Sequence, residues 1–142
     1  MLIKDLMTRN VITVGMDDTL TRVRSLFENH HFHHALVVEH LKLVGIISDR
    51  DLLKQLSPKL DTMAETRDDR KTLNQHCHLI MSRDLITIAP DETVYGAIAL
   101  FNQHGVSCLP VVDQNEHPLG IVTWRDIFKE IERYKKRLGQ TD

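Results

Sequence analysis

Charge of one sign is missing from this sequence: 18 lysines and arginines stand against 20 aspartates and glutamates, a formal net charge of −2. Such a balance makes no broad positive field to hold a polyphosphate backbone, so nucleic acid is not an expected partner. Long apolar runs are missing too; none approaches the roughly 18 residues of a membrane span. The opening MLIKDLMTRN has no extended apolar stretch of the kind a signal peptide carries, and the expected location is the cytoplasm. Cysteine is scarce. Cys77 lies in a polar QHCHL run and Cys108 beside an apolar one, and in a reducing compartment both are expected as free thiols. Catalytic signatures are absent as well: there is no nucleophile elbow, no HExxH and no Walker glycine loop. The chain is not expected to be an enzyme.

What is present is a globular balance, 42% hydrophobic and 27% charged residues, arranged twice over. VITVGMDDTL at 11–20 lies over LITIAPDETV at 85–94 with an offset of 74, and ALVVEH at 35–40 lies over LPVVDQ at 109–114 with the same offset. One extra residue then enters the second copy, so that Gly45, Ser48 and Asp51 of GIISDRD fall over Gly120, Thr123 and Asp126 of GIVTWRD at an offset of 75.

Each copy reads as β-α-β-β-α. The opening strands are predicted at Val11–Val14 and Leu85–Ile88, and Asp17 and Asp91 are predicted to cap the helices that follow. Leu20, Val23 and Phe27 in one copy, and Val94, Ala97, Ile98 and Phe101 in the other, form the buried helical stripes. Strands are predicted at Ala35–Val38, Leu43–Ser48, Leu109–Val112 and Leu119–Thr123, and a second helix starts at each motif. The fold class is α/β in the α+β sense. A unit of roughly 55 to 60 residues buries only about 60% of its extended-chain surface, so the two repeats are expected to pair as one pseudo-twofold domain. The repeats are read as 1–57 and 77–138, with a polar linker at 58–76, helical over about Ala64–Gln75, and a tail at 139–142. The stripe of Ile127, Ile131, Tyr134 and Leu138 extends the last helix, to pack either on its own domain or on a second subunit, and Gly139 is the expected stop.

The repeated motif has two readings from its residues alone. Ser48-x-x-Asp51 and Thr123-x-x-Asp126 resemble capping boxes, with the glycine admitting a neighbouring backbone. Alternatively the hydroxyl, the helix N-terminus and Arg50 or Arg125 form a phosphate seat, while Asp51 or Asp126 accepts from a ribose diol.

GIISDRD and GIVTWRD, each closing a unit that opens with VITV or LITIAPDET and passes through LVVEH or LPVVD, resemble the two halves of a CBS-domain pair, the cystathionine-β-synthase type regulatory module. The resemblance covers roughly residues 1–57 and 77–137. It implies a regulatory, energy-sensing module that binds adenine nucleosides or nucleotides such as AMP, ADP or ATP, and in some members S-adenosylmethionine or NAD-type ligands, in clefts between the repeats. It further implies that Asp51 and Asp126 hold ribose, that Ser48, Arg50, Thr123 and Arg125 hold phosphate, and that Thr13, Val14, Thr87, Ile88, Val37 and Val111 meet the adenine through backbone and aliphatic walls. Met16 and Leu36 stand where the second copy has Pro90 and Pro110, and HHFHH at 30–34 replaces HGVSC at 104–108. Asp49 beside Arg50 also lowers the positive charge of the first motif, so the second is expected to bind anions better.

Neither His30–His34 nor His76-Cys77-His78 shows a further ligand at metal spacing, and no metal site is expected. Because the copies and linker use up the sequence, any output is expected to go to a separate protein target or through self-association as a homodimer, which the resemblance places in a flat disc of four repeats. The alternative is a ligand-free dimerising scaffold in which the motifs are only helix caps.

Overall fold

A computed structural model describes residues 1–139; the expected tail beyond Gly139 lies outside the described residues. In chain order the elements are α1 (Ile3–Leu6), β1 (Ile12–Gly15), α2 (Leu20–His30), β2 (His34–Glu39), β3 (Lys42–Ser48), α3 (Asp49–Gln55), α4 (Arg67–Lys71) followed by a 3₁₀ turn (Thr72–Asn74), α5 (Cys77–Ile80), α6 (Val94–His104), β4 (Cys108–Val112), β5 (Pro118–Thr123) and α7 (Trp124–Gly139). They form a mixed α+β structure with one three-stranded and one two-stranded sheet.

The chain folds as two compact units. One is Ile12–Leu85; the other joins residues 1–11 to the chain from Ile86 onward. The segment ahead of each opening strand therefore belongs to the unit built on the other repeat's motif.

In the Ile12–Leu85 unit, β1 runs parallel to β2 and β2 antiparallel to β3, with Ile12, Ala35 and Ile47 forming one row across the sheet. Leu20, Val23 and Phe27 of α2 are buried against this sheet together with Leu52, Cys77 and Met81, as the helical stripe requires. The linker helix begins at Arg67, later than Ala64, because Thr66 caps it: its hydroxyl accepts from the Asp69 amide and Asp69 accepts from the Thr66 amide. Asp61 ties the linker to α2 by accepting from Arg24 and Arg70. These charge-assisted bonds hold the Asp61 carboxyl below its ordinary range.

In the other unit, α1 lies against the start of α6: the Ile3 amide donates to Glu92 O (2.8 Å) and the Lys4 amide to Pro90 O (3.0 Å). Ile3, Met7, Ala97, Phe101, Leu109, Val111, Val122 and Ile127 fill its core.

Two expectations are corrected here. The helices start from Thr19 and Thr93, two residues beyond Asp17 and Asp91. Asp18 instead closes the turn by accepting from the Gly15 amide (2.7 Å), and Thr93 Oγ1 accepts from the Gly96 amide (3.2 Å). The strand predicted at Leu85–Ile88 shrinks to one bridge between Ile88 and Val111. In a parallel ladder the preceding rung would need an N–H at Pro110, which has none; at the matching position of the first copy Leu36 supplies it, and β1 pairs over four residues.

Candidate functional site

The two motifs sit at equivalent places. Each begins inside a strand (β3 or β5), crosses a hydroxyl residue at the strand's end, and continues into the first turn of α3 or α7.

At the first, Ser48 caps α3. Its Oγ accepts from the Asp51 amide and Asp51 Oδ2 accepts from the Ser48 amide, both at 3.0 Å. At the second, Asp126 Oδ2 accepts from the Thr123 amide (2.9 Å) and hydroxyl (3.2 Å), and the Asp126 amide reaches back to Thr123 Oγ1 at 3.4 Å. The capping reading is thus realised in both copies. The reciprocal bonds fix the hydroxyl and the carboxylate side by side at a helix N-terminus, where the dipole favours an anion, although in α3 the Asp49 amide is taken by His33 O and the Asp51 amide by Ser48 Oγ. Arg50 and Arg125 stand next to each pair, both exposed, and neither guanidinium has a hydrogen bond or ion pair among the described residues.

Each glycine admits a crossing backbone. In one unit Ile46 and Ser82 exchange two hydrogen bonds (3.1 and 2.9 Å); in the other Ile121 and Thr8 do the same (2.9 and 2.8 Å). A Cβ on Gly120 would lie 2.5 Å from the Thr8 carbonyl oxygen, and one on Gly45 would run into the side chain of Met81.

This crossing brings in a residue the sequence reading missed. Thr8 Oγ1 donates to Asp126 Oδ1 at 3.2 Å, so both carboxylate oxygens of Asp126 are engaged. Asp51 Oδ1 has no such partner among the described residues. The signal was available: Met7-Thr8-Arg9 lies over Met81-Ser82-Arg83 at the same offset of 74.

The neighbourhoods differ as their sequences do. Beside the first motif, Asp49 Oδ2 meets His33 Nδ1 at 2.9 Å. His34 is half-buried in β2, and that burial lowers its pKa, against the pull of Asp49. Beside the second motif Trp124 takes the place of Asp49 and stands edge-on to Phe101, ring centroids 6.3 Å apart. Cys108, opposite Thr123 in the β4–β5 ladder, is a buried free thiol pushed up to about 12, first by burial and then by the Asp126 charge.

The residues assigned to adenine divide into two groups. Val14 and Val37 are cross-strand partners in the first core, and Ile88 and Val111 are bridged in the second; all four side chains are buried there and are not open walls. What these positions offer is backbone. Thr13 is exposed on β1, an edge strand, and the N–H and C=O of half-buried Thr87 make no backbone hydrogen bond among the described residues.

Comparison with known proteins places this arrangement. A family model described as CBS domain matches residues 3–58 and 78–133. CBS domain-containing protein YhcV of Bacillus subtilis is 34% identical over 125 residues, covering 88% of this chain and 81% of YhcV. Uncharacterized protein MJ1232 of Methanocaldococcus jannaschii is 34% identical over 127 residues, 89% of this chain but 38% of that protein. A homoserine O-acetyltransferase of Methanohalobium evestigatum is 28% identical over 133 residues, and the chain spans 24% of it. Among solved structures, the CBS domain pair of protein MJ0100 in complex with 5′-methylthioadenosine and S-adenosyl-L-methionine matches with a TM-score of 0.78 at 27% identity, covering 94% of this chain and 98% of that one. No helix among the described residues is long and apolar enough to cross a membrane.

Proposed function

The chain belongs to the CBS-domain family, and on that premise we propose that it is an adenine-nucleotide sensor whose two ligand seats are Ser48–Arg50–Asp51 and Thr123–Arg125–Asp126. The observation that carries the proposal is the doubled set of capping hydroxyl, carboxylate and unpaired arginine at a helix N-terminus. A phosphate pairs with Arg50 or Arg125 and lies at the positive end of the helix dipole beside the capping hydroxyl. A ribose diol donates to Asp51 or Asp126. The backbone at Thr13 and Thr87 faces the base. AMP, ADP and ATP all carry these groups, and the adenosine ligands of the MJ0100 pair support the class.

The two seats are unequal. Asp51 Oδ1, without a partner among the described residues, is open to ribose, but Asp51 lies beside Asp49, which repels phosphate; Asp126 lies beside uncharged Trp124, and its Oδ1, which accepts from Thr8, keeps one acceptor site for a ligand. The phosphate-rich nucleotides therefore prefer the second seat.

Such a module works in the cytoplasm, without chemistry of its own, by altering affinity for a protein target or for a second copy of itself. Self-association is favoured by α7, whose Trp124, Phe128, Ile131, Tyr134 and Leu138 leave a large apolar face exposed.

Calorimetric titration with AMP, ADP, ATP, S-adenosylmethionine and NAD tests this. Loss of a charged acceptor weakens a ligand by roughly 10- to 150-fold, about 1.5 to 3 kcal/mol, so Asp51→Ala and Asp126→Ala identify the seat in use. Each also removes half of a capping box, at about 1 kcal/mol of stability, which urea unfolding measures separately. If folded, ligand-free protein binds none of the five, the sensor reading fails and the motifs are helix caps in a scaffold.

A further inference from the structure

We propose that Asp17, His76 and His78 form a site for a divalent transition-metal ion, with zinc the cation the donors fit best. The inference rests on a cluster in the Ile12–Leu85 unit and is independent of the nucleotide reading.

One ligand atom from each of these three side chains lies within 4.8 Å of the other two. No metal is expected of His76-Cys77-His78 from the sequence, and the third donor, Asp17, lies far away in the chain. The fold supplies it through a short backbone ladder. The Leu20 amide donates to Gln75 O (3.0 Å), the Cys77 amide to Asp18 O (2.8 Å) and the His78 amide to Met16 O (3.0 Å). Asp17 sits between the two residues whose carbonyls receive the Cys77 and His78 amides. Cys77 is fully buried in the core, so the histidines on either side of it are held outward with their rings 5.7 Å apart.

The donors are free to bind. Among the described residues the Asp17 carboxylate has one polar partner, His76 Nδ1 at 3.9 Å, and its side chain is 93% exposed, so it can swing without disturbing the core. His78 is half-buried, and its imidazole donates to or accepts from no group among the described residues. Tetrahedral zinc with bonds of 2.0–2.1 Å sets neighbouring donors about 3.3 Å apart, a closure within reach of side-chain rotation. Two imidazole nitrogens and one carboxylate oxygen suit zinc, cobalt or nickel; magnesium and calcium prefer all-oxygen sets. The remaining position is left to water or an anion. A bound ion would fasten the turn before α2 to the start of α5.

Tag-free full chain, stripped with a chelator, should be titrated with Co²⁺ by visible absorption and with Zn²⁺ and Mg²⁺ by calorimetry. The expected result is one Zn²⁺ per chain, no Mg²⁺ binding, a raised melting temperature with Zn²⁺, and at least about tenfold weaker Zn²⁺ binding in each of His76→Ala, His78→Ala and Asp17→Asn. Asp17→Asn is an exposed, isosteric change that keeps the fold intact, and His31→Ala with His33→Ala controls for the histidine-rich turn. Failure of folded wild-type chain to bind Zn²⁺, or undiminished binding in the His76→Ala, His78→Ala double variant, would overturn the site and leave an ordinary surface ion pair.

Discussion

Gly120 shows what the first residue of the motif is for. The obstruction to a side chain there is the Thr8 carbonyl oxygen, at 2.5 Å from a built Cβ, and that carbonyl is pinned by its bond from the Ile121 amide. Backbone held on both sides cannot yield without breaking the Thr8–Ile121 pair and the neighbouring Thr8–Asp126 bond. At Gly45 the closest obstructions are Sδ of Met81 and its Cγ, the latter at 2.7 Å, which can turn aside, while its Cβ at 3.0 Å needs a shift of only a few tenths of an ångström. Gly120→Ala is therefore expected to cost about 1 to 3 kcal/mol and Gly45→Ala less, as read from urea unfolding. Equal costs would mean that the crossing backbone gives as easily as a methionine. Cys108 makes a second residue-level prediction. Its thiol is raised to about 12 in the folded chain, above the ordinary value of about 8.5, so the protonated form is favoured by folding. The sign follows: the contribution is complete below pH of about 8.5 and is lost as pH rises toward the folded value. Alkylation of Cys108 at pH 8.5 should then be limited by opening of the fold and should slow when the chain is stabilised. Labelling as fast as that of the urea-unfolded chain, followed by mass spectrometry, would contradict this.

Among the elements, the short helices mattered most and were the hardest to read. The long stripes of α2 and α6 and the hairpins β2–β3 and β4–β5 were legible, because helical periodicity and apolar runs bounded by turns are local signals. α1 and α5, with four residues each, are too short to show a period, and their places are set by bonds to distant chain. Proline ended the ladder at Pro110 by removing one donor, an effect that depends on register and so on the folded pairing. Asp17 and Asp91 missed the caps by two residues because the helix amides nearest them are met by other chain: Leu20 bonds to Gln75 O and Val94 to Met1 O. The motif residues were legible as a set, whereas Thr8, which occupies Asp126, and Asp17, which meets His76 and His78, come from afar in sequence. The structural weight of α1 can be tested at Ile3, which is fully buried. Ile3→Ala should cost about 2 to 5 kcal/mol, the usual range for emptying a buried aliphatic site. Because α1 belongs with the Gly120–Asp126 motif, the loss should fall on amide exchange protection in α6, β4 and β5 before that of β1 and β2. Protection lost first around β1 would place α1 with the wrong motif.

For the whole molecule, the largest unexplained feature is the apolar face of α7. Only Ile127 of its predicted stripe is buried; Phe128 is 64% exposed, Ile131 57% and Tyr134 60%. Trp124, Phe128 and Ile131 also line an open groove with Ile98 and Phe101, so the patch is continuous across α6 and α7. A helix face of this kind is self-complementary, since a second copy brings the same stripe in the opposite sense and both are covered by one twofold contact. Sedimentation should therefore find roughly twice the 16.4 kDa of the chain, and Phe128→Glu with Ile131→Glu should return it to the monomer. Since both positions are exposed, the double variant should melt with little change when measured at a concentration where wild type is also monomeric. If the nucleotide reading holds, linkage adds a stricter requirement. A nucleotide that strengthens or weakens the dimer by some factor, typically about 5 to 150, must have its own affinity changed by the same factor on dimerisation. Titrating nucleotide into wild type and into the double variant measures that factor from one side, and sedimentation with and without nucleotide measures it from the other. Agreement would identify self-association as the output of the sensor; a dimer indifferent to nucleotide would assign the signal to a separate protein.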